Sequence, residues 1–330
     1  MTEKRITVLV PTVGRMEYLP RTQESVRAQT LKDVEVVVLC NGSPAEGRAF
    51  VDAWKASDAN VTVLRSDPRL PMFDNFNLGI RAAKTPYVTF FHDDDEYRDD
   101  FLERMVAFLE QHPSVGLAGS NIDCIDETGA LTEERRWVTD DVILGRRAYI
   151  EKVIGRGRNI IAMPGLVYRR DILGDGFDTK IPIYWGDFVL LMQYAEQADI
   201  AILKEPLLRM RRHAEQASSQ VPMSRAAPMR TKLLLEYLDS YAGRFPGDAA
   251  MVRRLRRRLT MVERVSLVWG WVSAPSTDES NACIDSLPGT PVDLALAASL
   301  RSVSALGLRP HRASARAITI ARTVAERLGF

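Results

Sequence analysis

Cysteine is scarce in this chain of 330 residues: Cys40, Cys124 and Cys283 are odd in number, far apart and without a CxxC pair. That excludes a disulfide framework and a cysteine-ligated zinc site, and fits a reducing compartment. Net charge is nearly absent, +1 from 44 basic and 43 acidic residues, which argues against a dedicated nucleic-acid binder. No stretch reaches the ~18 apolar residues that cross a bilayer. The amino terminus runs straight into a strand pattern without a signal-peptide core, so a cytoplasmic protein is expected. Lysine is rare, eight in all, and the arginine bias suggests a bacterial coding sequence. The first strand pattern lacks the glycine- and lysine-rich phosphate loop expected of a nucleotidyltransferase.

What the chain does have is the composition of a globular protein, 46% hydrophobic and 26% charged. Apolar runs at Ile6–Val10, Val34–Leu39, Val61–Leu64, Tyr87–Phe91 and Val115–Ser120 read as buried strands. They alternate with helical stretches at Arg48–Ala56, Phe76–Ala83 and Asp100–Gln111, which indicates a mainly parallel sheet covered on both faces. After residue 130 the pattern loosens. From Arg225 onward there are 16 basic and 9 acidic residues, with Arg253 to Arg258 the densest charge. A helical, basic region is expected there, interrupted by a polar stretch from Ser273 to Pro291.

The most informative segment is His92-Asp93-Asp94-Asp95-Glu96, directly after the fourth apolar run. Adjacent carboxylates at the end of a buried strand repel one another, so a divalent cation is expected there, where ligands of open α/β sheets bind. The competing reading is a solvated turn capping the next helix, but Asp99 and Asp100 already supply that cap.

Taken together, these motifs resemble the family 2 glycosyltransferases of the GT-A fold. Val8-Leu9-Val10-Pro11-Thr12 with Gly14-Arg15 is similar to the family's first strand and turn, and Val36 to Ser43 to its second. Asn77-Leu78-Gly79 resembles the segment leading into the metal motif, and Tyr87 to Tyr97 the motif itself. Gly186-Asp187 and Arg211-Arg212-His213 resemble the closing elements. The resemblance implies an α/β GT-A catalytic domain over residues 1–224, with a mainly helical extension over 225–330. It implies a cytoplasmic inverting transferase that moves a sugar from a nucleotide-diphosphate donor to an acceptor hydroxyl, in bacterial surface polysaccharide or glycoconjugate synthesis. The acceptor would be a glycan, a lipid-linked molecule or a small molecule.

On that resemblance, Asp187 is the catalytic base. Pro11, Thr12, Arg15, Cys40, Asn41, Asn77, Asp93 and Asp94 border the donor nucleotide, and Asp94, Asp95 and His213 hold Mn²⁺ or Mg²⁺. Cys40 stands where the family commonly has an acidic residue for uracil, and a thiol is a poor acceptor, so a dTDP- or GDP-linked donor competes with UDP. Tyr184, Trp185 and Trp137 offer flat faces for acceptor sugars, although buried core aromatics would look the same. Gly186 would let the backbone approach a ligand, and Asp187 would also suit the N-cap of the following helix. The basic helices after Arg230 could contact an anionic membrane face peripherally. Two other readings stay open: a natural-product glycosyltransferase, and a non-catalytic sugar-nucleotide or glycan-binding protein of the same fold.

Overall fold

The computed structural model describes residues 3–156, 159–183, 185–213, 223–273 and 277–285, and a few positions between 287 and 301. Contacts divide the chain into two units, Met1–Ile150 with Asn159–Ala217, and Glu151–Arg158 with Ser218–Phe330.

The first unit opens with β1 (Ile6–Thr12), α1 (Leu19–Ala28), β2 (Val34–Asn41), α2 (Ala45–Ser57), β3 (Val61–Ser66), α3 (Met72–Ala82) and β4 (Tyr87–Phe90). In β1, Ile6, Val8, Leu9 and Val10 are all inaccessible to solvent, so both faces of the strand are covered. Each such side chain contributes about 1.5–3 kcal/mol on burial. That two-sided burial explains why the sequence shows a continuous apolar run instead of alternation. Next come β5 (Glu96–Tyr97), α4 (Phe101–Gln111), β6 (Val115–Ile125), β7 (Leu131–Arg135), β8 (Val142–Leu144) and α5 (Arg146–Arg156). The unit closes with β9 (Val167–Arg169), α6 (Arg170–Leu173), α7 (Gly186–Ala195) and β10 (Asp199–Arg211).

These strands form one sheet in the order β3-β2-β1-β4-β9-β6-β10-β5, with β7 beside β6 and β8 beside β10. Parallel pairing links β3, β2, β1 and β4, and again β6 with β10. Antiparallel β9 joins the two parallel parts, fastened by the Thr89 hydroxyl donating to the Leu166 carbonyl at 2.8 Å. The result is an α/β fold with a mainly parallel central sheet flanked by helices.

Several local expectations change. Asp100 occupies the N-cap of α4 without a side-chain capping bond. Gln29 fills the role from a distance: its Oε1 accepts the Leu102 N–H at 3.0 Å while its Nε2 donates to the Arg98 carbonyl at 2.8 Å. The Asp100 carboxylate instead receives Arg98. The loose region after residue 130 contains β7, whose exposed, charged residues hide the strand pattern, and β8, an apolar strand of only three residues. Gly155 and Arg156 end α5, and residues 157–158 lie outside the described part.

The second unit contains α8 (Met223–Arg244), α9 (Ala249–Ser273) and α10 (Thr277–Asp285). The polar interruption expected at Ser273–Pro291 thus holds a helix, and Cys283 and Ile284 are buried there with Leu267 and Ala297. On α9, Met251, Val252, Leu255 and Leu259 are buried while Arg253, Arg254, Arg257 and Arg258 are exposed, which separates an apolar stripe from a basic one. Among the described residues, no helix is long and apolar enough to cross a membrane.

Candidate functional site

The acidic run sits at the carboxyl end of β4, held there by aromatic packing. Phe91 stacks on Tyr97 with ring centroids 3.6 Å apart, and both pack edge-on against Phe101. The Tyr97 hydroxyl accepts the His92 N–H at 3.0 Å and lies 3.1 Å from the carbonyls of Phe90 and Pro164. Two buried rings and one phenol therefore fix the turn that carries His92 to Asp95.

Each of the three aspartates has its own partners. Asp93 accepts the Thr12 hydroxyl at 2.7 Å and the Arg15 guanidinium at 2.5 Å. Asp94 Oδ2 meets Arg15 at 3.1 Å and His213 Nε2 at 3.0 Å. Asp95 Oδ1 accepts the Arg211 N–H at 2.9 Å. Arg211 is 1% exposed, and its guanidinium donates to the carbonyls of Asp94, Asp126 and Glu127 and to Glu96. The Tyr18 ring lies against Arg15, Arg211 and His213. The turn is thus a charge-compensated assembly drawn from β1, β4 and β10. It is far more than a solvated helix cap.

Burial opposes the charge on Asp94, yet His92, the hydrogen bond to His213 and the charge of Arg15 outweigh it and hold its carboxyl below the ordinary range. Asp95 goes the other way: burial and then the neighbouring Asp94 raise its carboxyl well above that range, against the Arg211 N–H. A bound cation is what would let these carboxylates ionise together. The side chains present fit one. Ligand atoms of His92, Asp94 and Asp95 lie within 4.8 Å of one another, and His92 Nε2 is buried without a hydrogen-bond partner. An orphaned buried polar atom of this kind costs about 1–3 kcal/mol. The cluster includes His92, and His213 Nε2 stands beside it, 3.0 Å from Asp94 Oδ2.

Asp187 lies in the first turn of α7, one residue past its start. The N-cap is Trp185, so Asp187 is not the cap. Its Oδ1 accepts the Phe188 N–H at 2.8 Å and its Oδ2 accepts Asn159 Nδ2 at 3.0 Å. Burial lifts its pKa to about 6, against the lowering effect of those hydrogen bonds. A carboxylate with its pKa raised to about 6 is a stronger base than an ordinary aspartate. Around it, Asn159 Oδ1 and the hydroxyls of Tyr149 and Tyr168 are buried without partners. The Gly186 backbone lies close to the Phe73 ring: a Cβ there would stand 2.2 Å from it.

Other expected residues turn inward. Asn41 is buried, donating to the Leu70 carbonyl at 3.0 Å and accepting the Leu70 N–H at 2.8 Å, so its amide is engaged by the chain. Cys40 is also buried, its sulfur 3.3 Å from the Ser43 hydroxyl. Asn77 clamps the backbone of Phe177 in the same two-sided way, at 2.7 and 2.8 Å. Gly176, at φ 89°, permits that approach, since a Cβ would come within 2.4 Å of Asn77 Oδ1. Trp137 is partly buried and packs against the core of the sheet, its backbone N–H received by Asn121 Oδ1 at 2.7 Å. Pro11 and Trp185 are half-buried, and Trp185 lies edge-on to Phe188 with centroids 6.3 Å apart. Tyr184 lies outside the described residues. Sequence reasoning did not single out His92 as a ligand, Asn159 as the partner of Asp187, or Arg211 as the buried tie. Only the proximity of His92 to the acidic run was available as a signal.

Comparison with known proteins agrees with this fold. GlyG, a glycosyltransferase of Streptococcus pneumoniae serotype 4, is 28% identical over 106 residues, 32% of this chain and 35% of its own length. The chain therefore matches about a third of that relative. The Staphylococcus aureus TarS fragment 1–349, solved with UDP-GlcNAc, superposes with a TM-score of 0.66 at 16% identity, covering 86% of this chain and 79% of that one. The mannosyltransferase PcManGT of Pyrobaculum calidifontis, solved with GDP-Man and Mn²⁺, gives a TM-score of 0.54 at 16% identity, covering 99% and 85%. Residues 7–177 match the profile of Glycosyl transferase family 2, more than half of the 330, and the chain belongs to that family.

Proposed function

We propose that the chain is a cation-dependent inverting glycosyltransferase that moves a sugar from a nucleotide-diphosphate donor to an acceptor hydroxyl. Residues 1–224 would be its catalytic domain. The observation that carries the reading is Asp187: a buried carboxylate with its pKa near 6, in the same unit as a charge-compensated acidic turn at the end of β4. Two carboxylate groups driven to different protonation behaviour by their surroundings are the mark of a divided catalytic task.

In this reading the donor diphosphate lies at the acidic turn. Asp94 and Asp95 with His92 would hold Mn²⁺ or Mg²⁺, which supplies charge neutralisation as the glycosidic oxygen leaves. Arg15 and His213 keep Asp94 ionised and oriented. Asp187 accepts the proton of the acceptor hydroxyl as its oxygen attacks the anomeric carbon. The bond from that carbon to the diphosphate breaks in the same displacement, giving an inverted glycoside and a free nucleoside diphosphate. No covalent intermediate is needed.

TarS and PcManGT were solved with UDP- and GDP-linked sugars, which supports a nucleotide-sugar donor here. Cys40 offers no carboxylate to the N3–H that uracil and thymine share, so the base of the donor is left open among UDP-, dTDP- and GDP-linked sugars. Half-buried Trp185, two residues before Asp187, is the aromatic candidate for the acceptor side. The basic stripe of α9 supports peripheral contact with an anionic membrane surface, suiting a lipid-linked acceptor in surface polysaccharide synthesis.

The test is Asp187→Asn. Transfer should fall by at least about 10²-fold, the lower range of general-base contributions, with nucleotide binding retained. Unchanged transfer would remove Asp187 from the mechanism.

A further inference from the structure

We infer that Asn159 is the positioning residue of the base: its side-chain amide fixes the Asp187 carboxylate in one orientation for the acceptor hydroxyl, before and after the proton is taken. The inference rests on the reading of Asp187 as the base and goes further, to the residue through which that base is held.

Two donors meet this carboxylate, one on each oxygen. The Phe188 N–H reaches Oδ1 at 2.8 Å from the next residue of α7, and Asn159 Nδ2 reaches Oδ2 at 3.0 Å from the segment between α5 and β9. Rotation of a carboxylate about its last side-chain bond is soft and nearly two-fold, so a single donor leaves its plane loose. A second donor on the other oxygen sets that plane, and the lone pairs used by neither donor remain for a substrate proton. Among the described residues, Asn159 supplies the one side-chain hydrogen bond that Asp187 receives.

Asn159 also differs from asparagines that serve the fold. Asn41 and Asn77 each engage a backbone with both ends of the amide. Asn121 Oδ1 accepts the Trp137 N–H while its Nδ2 donates to the carbonyls of Val138 and Lys204. Asn159 instead gives its donor to a carboxylate, and its Oδ1 is buried without a partner. A purely structural clamp would not leave its acceptor empty, because an unmet buried carbonyl is costly. The empty acceptor has a use in the reaction. Once the acceptor hydroxyl has passed its proton to Asp187, half a turn of the amide brings Oδ1 to the new carboxyl proton, and the pair is satisfied in both states.

An amide suits the task because it is neutral. An arginine in its place would hold the carboxylate ionised and suppress its basicity, whereas a neutral donor orients it with a smaller loss. The titratable groups that sense the charge of Asp187, Tyr149 of α5 and Tyr168 of β9, are neutral too: burial, and then that charge, keep both phenols protonated.

The experiment is a carboxyl ¹³C titration of the full-length protein labelled with [4-¹³C]aspartate, the Asp187 signal being assigned by its loss in Asp187→Asn. Wild type should titrate at about 6. Asn159→Ala removes the donor and should move the midpoint up by about half a unit or more. Asn159→Asp, of the same size, should move it up by about one unit or more, because two carboxyls then share a proton. Release of nucleoside diphosphate from UDP-GlcNAc and GDP-Man with Mn²⁺ gives the second readout. Both variants should lose about tenfold or more in kcat and keep KM for the donor within about twofold. Their acid limb should shift by the same amount as the titration. A midpoint that stays at the wild-type value in both variants overturns the inference, whether or not either donor turns over. An unchanged kcat in both, on a donor that wild type turns over and Asp187→Asn does not, overturns it and leaves the base reading intact. Turnover unchanged in Asp187→Asn overturns both. Circular dichroism of each variant separates loss of the contact from loss of the fold.

Discussion

Replacing Asp187 by asparagine should make the folded protein more stable at neutral pH, and the gain should shrink in acid. The carboxyl is lifted from an ordinary 3.8 to about 6 by burial. A shift of roughly two units corresponds to about 3 kcal/mol. The sign follows from linkage. The folded state binds this proton more tightly than the unfolded chain, so the group's favourable contribution is complete below 3.8. It is lost as pH rises through the window from 3.8 to about 6. Above that window, the native carboxylate costs up to about 3 kcal/mol relative to a neutral side chain, and at pH 5 roughly half of that. An amide removes the cost without losing the local bonds. The Phe188 N–H still finds a carbonyl oxygen, and Asn159 can turn its unpartnered Oδ1 toward the new amide. Urea unfolding of both proteins at pH 5 and pH 8 measures the effect. The variant should be more stable at pH 8, by up to about 3 kcal/mol, and the gain should be about halved at pH 5. A destabilised variant at pH 8, or a gain independent of pH, would refute the claim that burial strains this carboxylate. Catalytic residues retained at a cost in stability are what a trade-off between stability and activity predicts.

Four further outcomes follow from the same geometry. Tyr97→Phe strips the acceptor from the His92 N–H and should cost about 1–3 kcal/mol in urea unfolding, while weakening nucleotide binding. Arg211→Met leaves Glu96 and three carbonyls without their buried cation, and should cost about 3–5 kcal/mol, read as a fall in melting temperature. Transfer should lose activity about tenfold per pH unit below about 6, because the base must be ionised; a rate flat down to pH 4.5 would contradict that assignment. Arg253→Glu combined with Arg257→Glu removes two basic residues from the exposed face of α9. It should weaken co-sedimentation with anionic vesicles by about tenfold or more at low salt. Equal pelleting would dismiss membrane contact through this face.

The parallel part of the sheet is legible in the sequence because β1, β2 and β4 are buried on both faces and so read as unbroken apolar runs. Helix α4 is legible for a similar reason, with Phe101, Leu102, Met105, Val106 and Leu109 on one face. By contrast, β10 is obscured. It carries Lys204, Glu205 and Pro206 in mid-strand, where the register with β6 shifts. β7 is an exposed, charged strand that, among the described residues, pairs only with β6, so no hydrophobic pattern announces it. In the site, the acidic run and Asp187 stand out because carboxylates after buried strands or at helix starts are chemically conspicuous. The two-sided clamps of Asn41 and Asn77 on backbone groups are not legible in local sequence, because their partners lie 29 and 100 residues away. His92 and Arg211 depend on partners more than a hundred residues away, or on an absent hydrogen bond, and neither can be seen in local sequence.

The central claim is that a nucleoside diphosphate binds at the acidic turn through a cation. The most direct measurement is the melting temperature of the protein with UDP, dTDP, GDP, CMP and ADP, each with Mn²⁺ and again with EDTA. A ligand that binds only the native state raises the melting temperature, by an amount equivalent to about 2.7 kcal/mol at a hundred times its dissociation constant. The account predicts a clear rise with one diphosphate and Mn²⁺ that EDTA abolishes, and its loss in Asp94→Asn. A rise unaffected by EDTA, or none with any nucleotide, would contradict it.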